Sequence, residues 1–181
     1  MKILLIGASS DIAIDLIANA SHINFIEFTS KPTLPHQKYL SILDESSYPD
    51  IDGDIDGLVY FPGSINLKPF SNLKLCDFQN DYEINVLGLI KVLKHYHKKL
   101  TNQSSVVFIS SVAAQLGMPY HTSISSCKSA IEGLSRSLAA EWAPKIRVNC
   151  VAPSAIKTKL SQRLFRTEQQ VEQMNQRHPL Q

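Results

Sequence analysis

The fold is decided by the stretch Ser110-Ser-Val-Ala-Ala-Gln-Leu-Gly-Met-Pro-Tyr-His-Thr-Ser-Ile-Ser-Ser-Cys-Lys128, because this stretch joins a strand pattern to a helix pattern. The apolar run 106–109 directly before it predicts a buried parallel strand, and a long helical pattern begins near Ser123. In an open α/β sheet, ligands bind beyond the carboxyl ends of the strands. We therefore expect the two serines that open the stretch, and Lys128 on the helix, to face a ligand crevice.

Around this stretch the sequence resembles the short-chain dehydrogenase/reductase family. That family carries a strand-end serine, a tyrosine thirteen residues later and a lysine four beyond it; Ser111 and Lys128 match, while Ile124 stands at the tyrosine position. The segments 129–141 (SAIEGLSRSLAAE) and 146–153 (IRVNCVAP) also match. The resemblance implies an α/β fold, a Rossmann-like doubly wound parallel sheet with strand order 3-2-1-4-5-6. It also implies hydride transfer between a nicotinamide cofactor and a carbonyl or alcohol.

Catalytic roles follow from the resemblance residue by residue. Ser111 would polarise the carbonyl, and Lys128 would hold the nicotinamide ribose. Asn85 would kink its helix and hold a water on the proton path; an asparagine among apolar residues is otherwise a satisfied buried polar group. Because Ile124 has no proton to give, another group must supply it. Tyr120 is the first candidate, although a tyrosine in such a turn is commonly a packing residue, and His121 or a water on Lys128 are the others.

Length and composition limit the other possibilities. A chain of 181 residues with 44% hydrophobic content predicts a single domain over residues 1–181. A net charge of +2, from 18 basic and 16 acidic residues, predicts neither a nucleic-acid nor a membrane partner. Three cysteines without metal-ligand spacing favour a reducing, cytoplasmic compartment, and we assign no metal ligand.

The first strand pattern leads into a candidate phosphate cradle. Lys2 to Ile6 predicts a strand, Gly7 breaks it, and a helical pattern follows from Asp11. A glycine turn at a helix N-terminus offers unpaired N–H groups to a pyrophosphate, so we expect cofactor contacts at Gly7, Ser9, Ser10, Asp11 and Ile12. The two serines and the aspartate would equally well cap the helix, and Asp11 must point away from a bound phosphate.

The second strand pattern, Asn24 to Phe28, bears on cofactor choice. Thr29-Ser30-Lys31 follows it without an acidic residue. A carboxylate there would bind the ribose hydroxyls of NAD, whereas hydroxyls and a cation favour the 2′-phosphate of NADP. Ser30 and Lys31 therefore favour NADP, with NAD as the second possibility, although a lysine after a strand is also typical of plain surface.

Further cofactor contacts are implied after the third, fourth and sixth strands, which we predict at 39–43, 57–61 and 147–151. Asp44 would lie beside the adenine ring or serve only as a turn residue. At the end of the fourth strand the family carries Asn-Asn-Ala-Gly, and of these four residues only the glycine, Gly63, is present here. This end of the crevice must therefore be held by other residues. Thr158 would hold the nicotinamide carboxamide. The full set is Asp44, Phe61, Pro62, Gly63, Pro153, Ser154, Ile156 and Thr158.

Two long helices, Leu75–Leu100 and Ser123–Ala143, are apolar on more than one face, which favours burial against the sheet and against a second subunit. The resemblance implies a homodimer or homotetramer. The polar segment 160–181 resembles a substrate flap. In the family a further helix and a seventh strand follow, so strand six would be an edge unless the chain is a fragment or a partner covers it.

Two functions remain open at this point. One is an NADP(H)-dependent reductase or dehydrogenase acting on a small-molecule carbonyl or alcohol. The other is a catalytically weak or inactive module that binds the dinucleotide without turnover, since fold alone does not choose between them.

Overall fold

The structure, a computed structural model, describes residues 1–176 and centres on a parallel sheet. Its six strands lie in the order β3-β2-β1-β4-β5-β6, so the predicted strand order is confirmed. The strands are β1 Lys2–Ile6, β2 Asn24–Thr29, β3 Lys38–Tyr39, β4 Ile55–Tyr60, β5 Leu100–Ile109 and β6 Arg147–Val151. The order reverses between β1 and β4, which is where an open α/β sheet forms its ligand crevice.

The sheet buries alternate side chains on one face, as the period of a strand requires. Leu4 pairs with Ile26 on one side and with Leu58 on the other. On the same face Val106 and Phe108 of β5 are fully buried. These residues form the main apolar core, which fixes the register of the central strands.

Five α-helices lie within the described residues: α1 Asp11–Asn19, α2 Leu75–Tyr82, α3 Gly88–Tyr96, α4 Thr122–Trp142 and α5 Glu168–Asn175. The turn after α2, helix α3 and helix α4 pack on the main core through Val86, Leu89 and Ile131, respectively. Helix α1 lies on the opposite face, where its Leu16 lines a groove of about 510 Å³ together with sheet residues. Helices therefore lie on both faces of the sheet, as in a doubly wound fold, but they cover one face more completely than the other.

The predicted single helix Leu75–Leu100 is wrong in detail. A π turn at Glu83–Leu87 separates α2 from α3, a 3₁₀ turn follows α3, and Leu100 already begins β5. Within the π turn the Ile84 carbonyl accepts the Tyr60 hydroxyl at 2.8 Å. A Cβ on Gly88 would lie 2.8 Å from the same hydroxyl oxygen, so glycine permits this close approach. Buried packing thus overrides the regular helical period.

The third strand is shorter than the predicted 39–43. The Leu40 N–H still donates to the Thr29 carbonyl at 3.0 Å, but the Asp44 N–H then closes a turn onto the Ser41 carbonyl at 3.0 Å. The strand lies at the sheet edge with one neighbour, so little holds it extended. Conversely, β4 and β5 begin earlier than predicted, because Ile55 already pairs with Leu100 before an irregularity in the register and the regular pairing from Gly57 and Ser105 onward.

Strand β6 is the other edge of the sheet within residues 1–176, as expected from the sequence. Beyond α1 the second face is less covered: Val59 and Val107 are half-buried, and Val151 is 52% exposed. None of the described helices has the length and apolar character needed to cross a membrane.

A cavity of about 190 Å³ lies between α3 and α4 and is lined by Leu93, Leu134, Leu138 and Trp142. We predict that this surface mediates self-association, because apolar side chains remain there after the sheet is covered. Light scattering at micromolar concentration should give at least a dimer of the 20.2 kDa chain. Leu138→Glu should shift the mass toward the monomer, and Ser137→Glu, one residue away and exposed, should not. A monomeric wild type would contradict the prediction.

Candidate active site

Lys128 lies at the carboxyl edge of the sheet. It belongs to α4, and its Nζ donates to the Ile109 carbonyl, the last of β5, at 2.8 Å. The side chain is only 8% exposed. Burial, which disfavours the ammonium form, lowers the pKa of Lys128 to about 8. A lysine buried at a strand end and titrating near neutrality is suited to holding and exchanging a proton.

The two serines that follow β5 have different surroundings. Ser110 is buried and donates to Glu132 Oε1 at 2.8 Å, while Gln115 donates to the other carboxylate oxygen at 3.0 Å. These two hydrogen bonds hold the pKa of Glu132 below its ordinary value. Ser111 is half-buried, and its Oγ accepts from the Ala113 N–H at 3.2 Å. Among the described residues its own hydroxyl proton is given to no acceptor, so it is available for a ligand. Ser110 is therefore structural, and Ser111 suits the predicted role.

Asn85 is fully buried in the π turn between α2 and α3. Its Nδ2 donates to Ser64 Oγ at 2.9 Å and to the Asp81 carbonyl at 2.8 Å, whereas its Oδ1 has no partner within residues 1–176. A Cβ on Gly63 would lie 3.2 Å from this oxygen and 3.5 Å from Lys128 Nζ. The glycine thus keeps open the space that the amide oxygen and the ammonium both border, and a water or hydroxyl would bridge them well.

The candidate phosphate cradle depends on Gly7. Its φ of +81° is in the left-handed region, and an added Cβ would lie 3.0 Å from Pro62 Cδ. Pro62 and Phe61 continue from β4, where the Phe61 N–H donates to the Ile6 carbonyl at 3.0 Å. Glycine is therefore required both by backbone conformation and by close packing of two strand ends.

The serines of the cradle have structural partners. Ser10 caps α1 by accepting from the Ala13 N–H at 3.2 Å, and Ser9 Oγ is 2.6 Å from Thr29 Oγ1. The capping interpretation is therefore correct for Ser10, and it is compatible with phosphate binding because Ile12 still lies in the first helical turn, whose N–H groups lack intrahelical partners.

Asp11 points toward the segment after β6. Its Oδ2 accepts from the Lys159 N–H at 2.6 Å, and its Oδ1 is 3.6 Å from Lys159 Nζ. The carboxylate is thus engaged with a backbone donor and a cation, which lessens its repulsion of a phosphate at the helix N-terminus. The contact with Lys159 is compatible with the expectation that Asp11 points away from a bound phosphate.

The remaining predicted contacts lie at strand ends. Ser30 and Lys31 are exposed directly after β2, and Asp44, also exposed, accepts from the Ser46 N–H at 3.1 Å as a turn cap. The turn role of Asp44 is thus observed, and its contact with adenine stays a prediction.

The segment after β6 is organised by Ser161. Thr158 donates its N–H to Ser161 Oγ at 3.0 Å, and Ser161 donates to the Ile156 carbonyl. The Pro153 carbonyl accepts from the Val112 N–H at 3.1 Å, which ties the segment to the turn after β5. Ser154 is exposed. Predicted contacts 153–158 therefore lie beside the strand ends that carry the other site residues.

The candidate proton donors are less well placed. Ile124 is 4% exposed and belongs to the apolar core. Tyr120 is 57% exposed with φ +68°, and in the part of the chain that the structure describes no hydrogen bond joins its hydroxyl to the site. His121 Nδ1 lies 2.7 Å from the Pro119 carbonyl. Neither ring is fixed beside Lys128.

A buried carboxylate at the site was missed by sequence reasoning. Asp81 is 3% exposed; its Oδ1 accepts from Ser64 at 2.5 Å and its Oδ2 from Ser123 at 2.6 Å. The signal for it is the spacing of Asp81 and Asn85, two polar residues four apart in a helical pattern, which puts both on one face.

Comparison with known proteins decides the family. The profile of the family described as Enoyl-(Acyl carrier protein) reductase matches residues 47–181. The chain belongs to the short-chain dehydrogenase/reductase family. It is 33% identical over 107 residues to a hydroxynaphthalene reductase of Aspergillus fumigatus, covering 59% of this chain and 39% of that protein. It is 33% identical over 132 residues to a tropinone reductase homologue of Arabidopsis thaliana, covering 71% of this chain and 50% of that protein. The chain thus spans half or less of these relatives.

Solved structures of short-chain dehydrogenases share the fold. Aldohexose dehydrogenase of Thermoplasma acidophilum superposes with a TM-score of 0.81 at 19% identity, over 96% of this chain and 75% of that one. A short-chain dehydrogenase of Shigella flexneri complexed with NADP gives a TM-score of 0.82 at 22% identity, over 94% and 84%. At such identities the likeness shows the fold alone.

The residues of this short-chain dehydrogenase/reductase fit a bound dinucleotide. A side chain on Gly63 would crowd Asn85 and Lys128, and Asn85 Oδ1 is a buried acceptor with no partner among the described residues. Both observations concern space or hydrogen bonding left for a ligand at the carboxyl edge.

Proposed function

We propose that the protein is an NADP(H)-dependent oxidoreductase that interconverts a small-molecule carbonyl and an alcohol. The observation that carries this proposal is the convergence of Lys128, Asn85 and Gly63 beside the Gly7 turn, at the switch point of the sheet. Three free thiols, Cys76, Cys127 and Cys150, support a reducing compartment, and we propose the cytoplasm.

The cofactor would be held by the Gly7 turn and the first turn of α1 at the pyrophosphate, by Ser30 and Lys31 at the 2′-phosphate, and by Thr158 at the nicotinamide. When bound, it supplies the hydride. The chain's own tasks are then to orient the carbonyl and to deliver a proton to its oxygen.

Ser111 has a hydroxyl proton available to polarise the carbonyl. Lys128 has two ammonium protons beyond the one given to Ile109, and with a pKa of about 8 it exchanges protons readily near neutral pH. Asn85 Oδ1 would hold a water beside that ammonium. Tyr120 and His121 stay candidates for the final donor, although the loop that carries them must move to bring either side chain to the site.

One observation favours the second candidate, a dinucleotide-binding module without turnover. Ile124 is packed in the core and offers no proton where the family has its tyrosine. Rate measurements with NADPH and a panel of ketones and aldehydes test the oxidoreductase proposal. Binding of NADPH without any oxidation of it would contradict that proposal and favour the dinucleotide-binding module.

The proposed cofactor preference gives a separate prediction. Calorimetric titration should show tighter binding of NADPH than of NADH, because Lys31 and Ser30 follow β2 without a carboxylate. Lys31→Ala should weaken NADPH binding about tenfold, the value of one charge-assisted contact, and leave NADH binding unchanged. Lys38→Ala, an exposed lysine on the neighbouring strand, is the matched control. Equal affinities of the wild type for NADPH and NADH would contradict the preference inferred from Lys31.

A further inference from the structure

Asp81 is a buried carboxylate without a cation. Within residues 1–176 no lysine, arginine or histidine nitrogen lies within 4.0 Å of it, as an ion pair would require. Both oxygens instead accept short hydrogen bonds from serine hydroxyls, at 2.5 Å from Ser64 and 2.6 Å from Ser123. Burying a charge in this way is costly compared with burying an apolar side chain of similar size. A carboxylate at this position therefore points to a task that an apolar residue would not perform.

The carboxylate joins three segments that meet at the site. Ser64 follows Gly63 in the loop after β4, Ser123 lies in the first turn of α4 next to Ile124, and Asp81 itself is on α2, directly before the π turn. The family's asparagines that would brace the end of β4 are absent here. The Ser64–Asp81–Ser123 bridge supplies an alternative brace between the loop and both helices.

The same bridge sets the direction of the Asn85 amide. Because Ser64 gives its proton to Asp81, its oxygen is an acceptor, and Asn85 Nδ2 donates to it at 2.9 Å and to the Asp81 carbonyl at 2.8 Å. An amide rotated by 180° would place Oδ1 against these two acceptors with no donor between them. The observed orientation is thus the satisfied one, and it leaves Oδ1 beside the space at Gly63 and Lys128.

We propose that Asp81 is a positioning residue. Through Ser64 it holds the Asn85 carboxamide with Oδ1 toward Lys128, and through Ser123 it fixes the start of α4 relative to that amide. The inference rests on the proposed function for its kinetic consequence, since Asn85 and Lys128 form the inner end of the proton path there. Because Ile124 stands in place of a tyrosine, proton delivery depends more strongly on how Asn85 and Lys128 are placed relative to each other.

The direct test observes Asn85 without turnover. In ¹⁵N-labelled wild type, the Asn85 side-chain amide, assigned from its absence in Asn85→Asp, should give one pair of resonances that exchanges slowly with solvent. Asp81→Asn places a donor where the Ser64 hydroxyl needs an acceptor, so both orientations of the Asn85 amide become possible. The two Asn85 side-chain resonances should therefore shift, and their protons should exchange with solvent at least tenfold faster. Ser64→Ala should do the same, and Ser64→Thr, which keeps the hydroxyl, should restore the wild-type signal.

The matched control is Asp77→Asn, because Asp77 lies one turn earlier on the same helix and accepts from the Lys74 N–H and Lys68 instead. It should leave the Asn85 signals unchanged. In an active wild type, Asp81→Asn should lower kcat about 10²-fold, as expected for a misplaced catalytic group, with the Kd for NADPH within about threefold.

Unchanged Asn85 resonances in both Asp81→Asn and Ser64→Ala would overturn the inference. If wild type turns over no substrate while the resonances respond as expected, the positional link stands and the proposed function fails. Ser64→Ala removes only a half-buried hydroxyl, so it keeps the test available if the Asp81 variant does not fold.

Discussion

Ile124→Tyr is expected to raise turnover of carbonyl substrates by about 10²-fold, the lower end of what general acid catalysis contributes. The substitution restores a hydroxyl thirteen residues after Ser111 and four before Lys128. A tyrosine pKa near 10 falls when an ammonium lies beside it, so the new hydroxyl can donate near neutral pH. Because Ile124 is 4% exposed, the larger ring should also cost about 1–3 kcal/mol of stability.

Initial rates of NADPH oxidation with several ketones and aldehydes measure this effect, and thermal unfolding measures the cost. Ile124→Phe is the matched control: it adds the ring without the hydroxyl, so it should lose stability and gain no rate. Equal rates for the tyrosine and phenylalanine variants would contradict the proposed proton deficit.

Tyr120→Phe belongs to the same experiment, because it removes the hydroxyl of the first candidate donor. If Tyr120 donates the proton, turnover falls by about 10²-fold or more; if turnover is unchanged, His121 and a water on Lys128 remain. Tyr82→Phe, another exposed tyrosine, controls for loss of a phenol. No turnover by wild type or any variant, with NADPH binding retained, would replace the oxidoreductase by the binding module.

Lys128→Met is expected to abolish turnover and to stabilise the fold at pH 7. The pKa of Lys128 falls from 10.5 to about 8 on burial, so between these values the unfolded chain binds more protons than the folded one. The free energy of unfolding of wild type should therefore rise from pH 8 to 10.5, by about 3 kcal/mol from this group. Below pH 8 both states are protonated and the penalty of the buried charge is fully present.

Methionine removes that charge but also the hydrogen bond to the Ile109 carbonyl, so the expected net gain at pH 7 is on the order of 1–2 kcal/mol. Urea unfolding from pH 7 to 10 measures both effects: the wild-type curve should climb more steeply than that of the variant. Lys145→Met, at an exposed position, should parallel wild type. A destabilised Lys128→Met with an unchanged pH profile would contradict the lowered pKa.

The strand order was implied by the resemblance to the family, whereas the strands themselves and the position of Lys128 were predicted from local patterns. Apolar runs ending in glycine or serine mark parallel strands, and the serine-to-lysine spacing fixes a strand end against a helix turn. The bounds of β1 and β6 were predicted correctly for the same reason. The Ser10 cap and the turn at Gly7 likewise follow from residue type alone.

Features that depend on tertiary contacts were not predicted. The resemblance implied a kink at Asn85, but it did not give the hydrogen bond from the Tyr60 hydroxyl to the Ile84 carbonyl inside the π turn, because no local period reports such a contact. Asp81 looked like an ordinary helix residue, since its partners Ser64 and Ser123 are 17 and 42 residues away. The short third strand depends on what lies beside it in the sheet.

The bond between Asp11 and Lys159 joins residues 148 positions apart, so it closes a loop of most of the chain. Contacts of such high sequence separation form late, because the intervening chain must first be ordered. The cofactor cleft should then be completed only after all six strands have assembled. During unfolding, the segment around Lys159 should open locally at a lower free energy than is needed to detach a central strand. Loss of the cofactor would then precede unfolding of the sheet, and the wall of the cleft would be the least protected part of the site to hydrogen exchange.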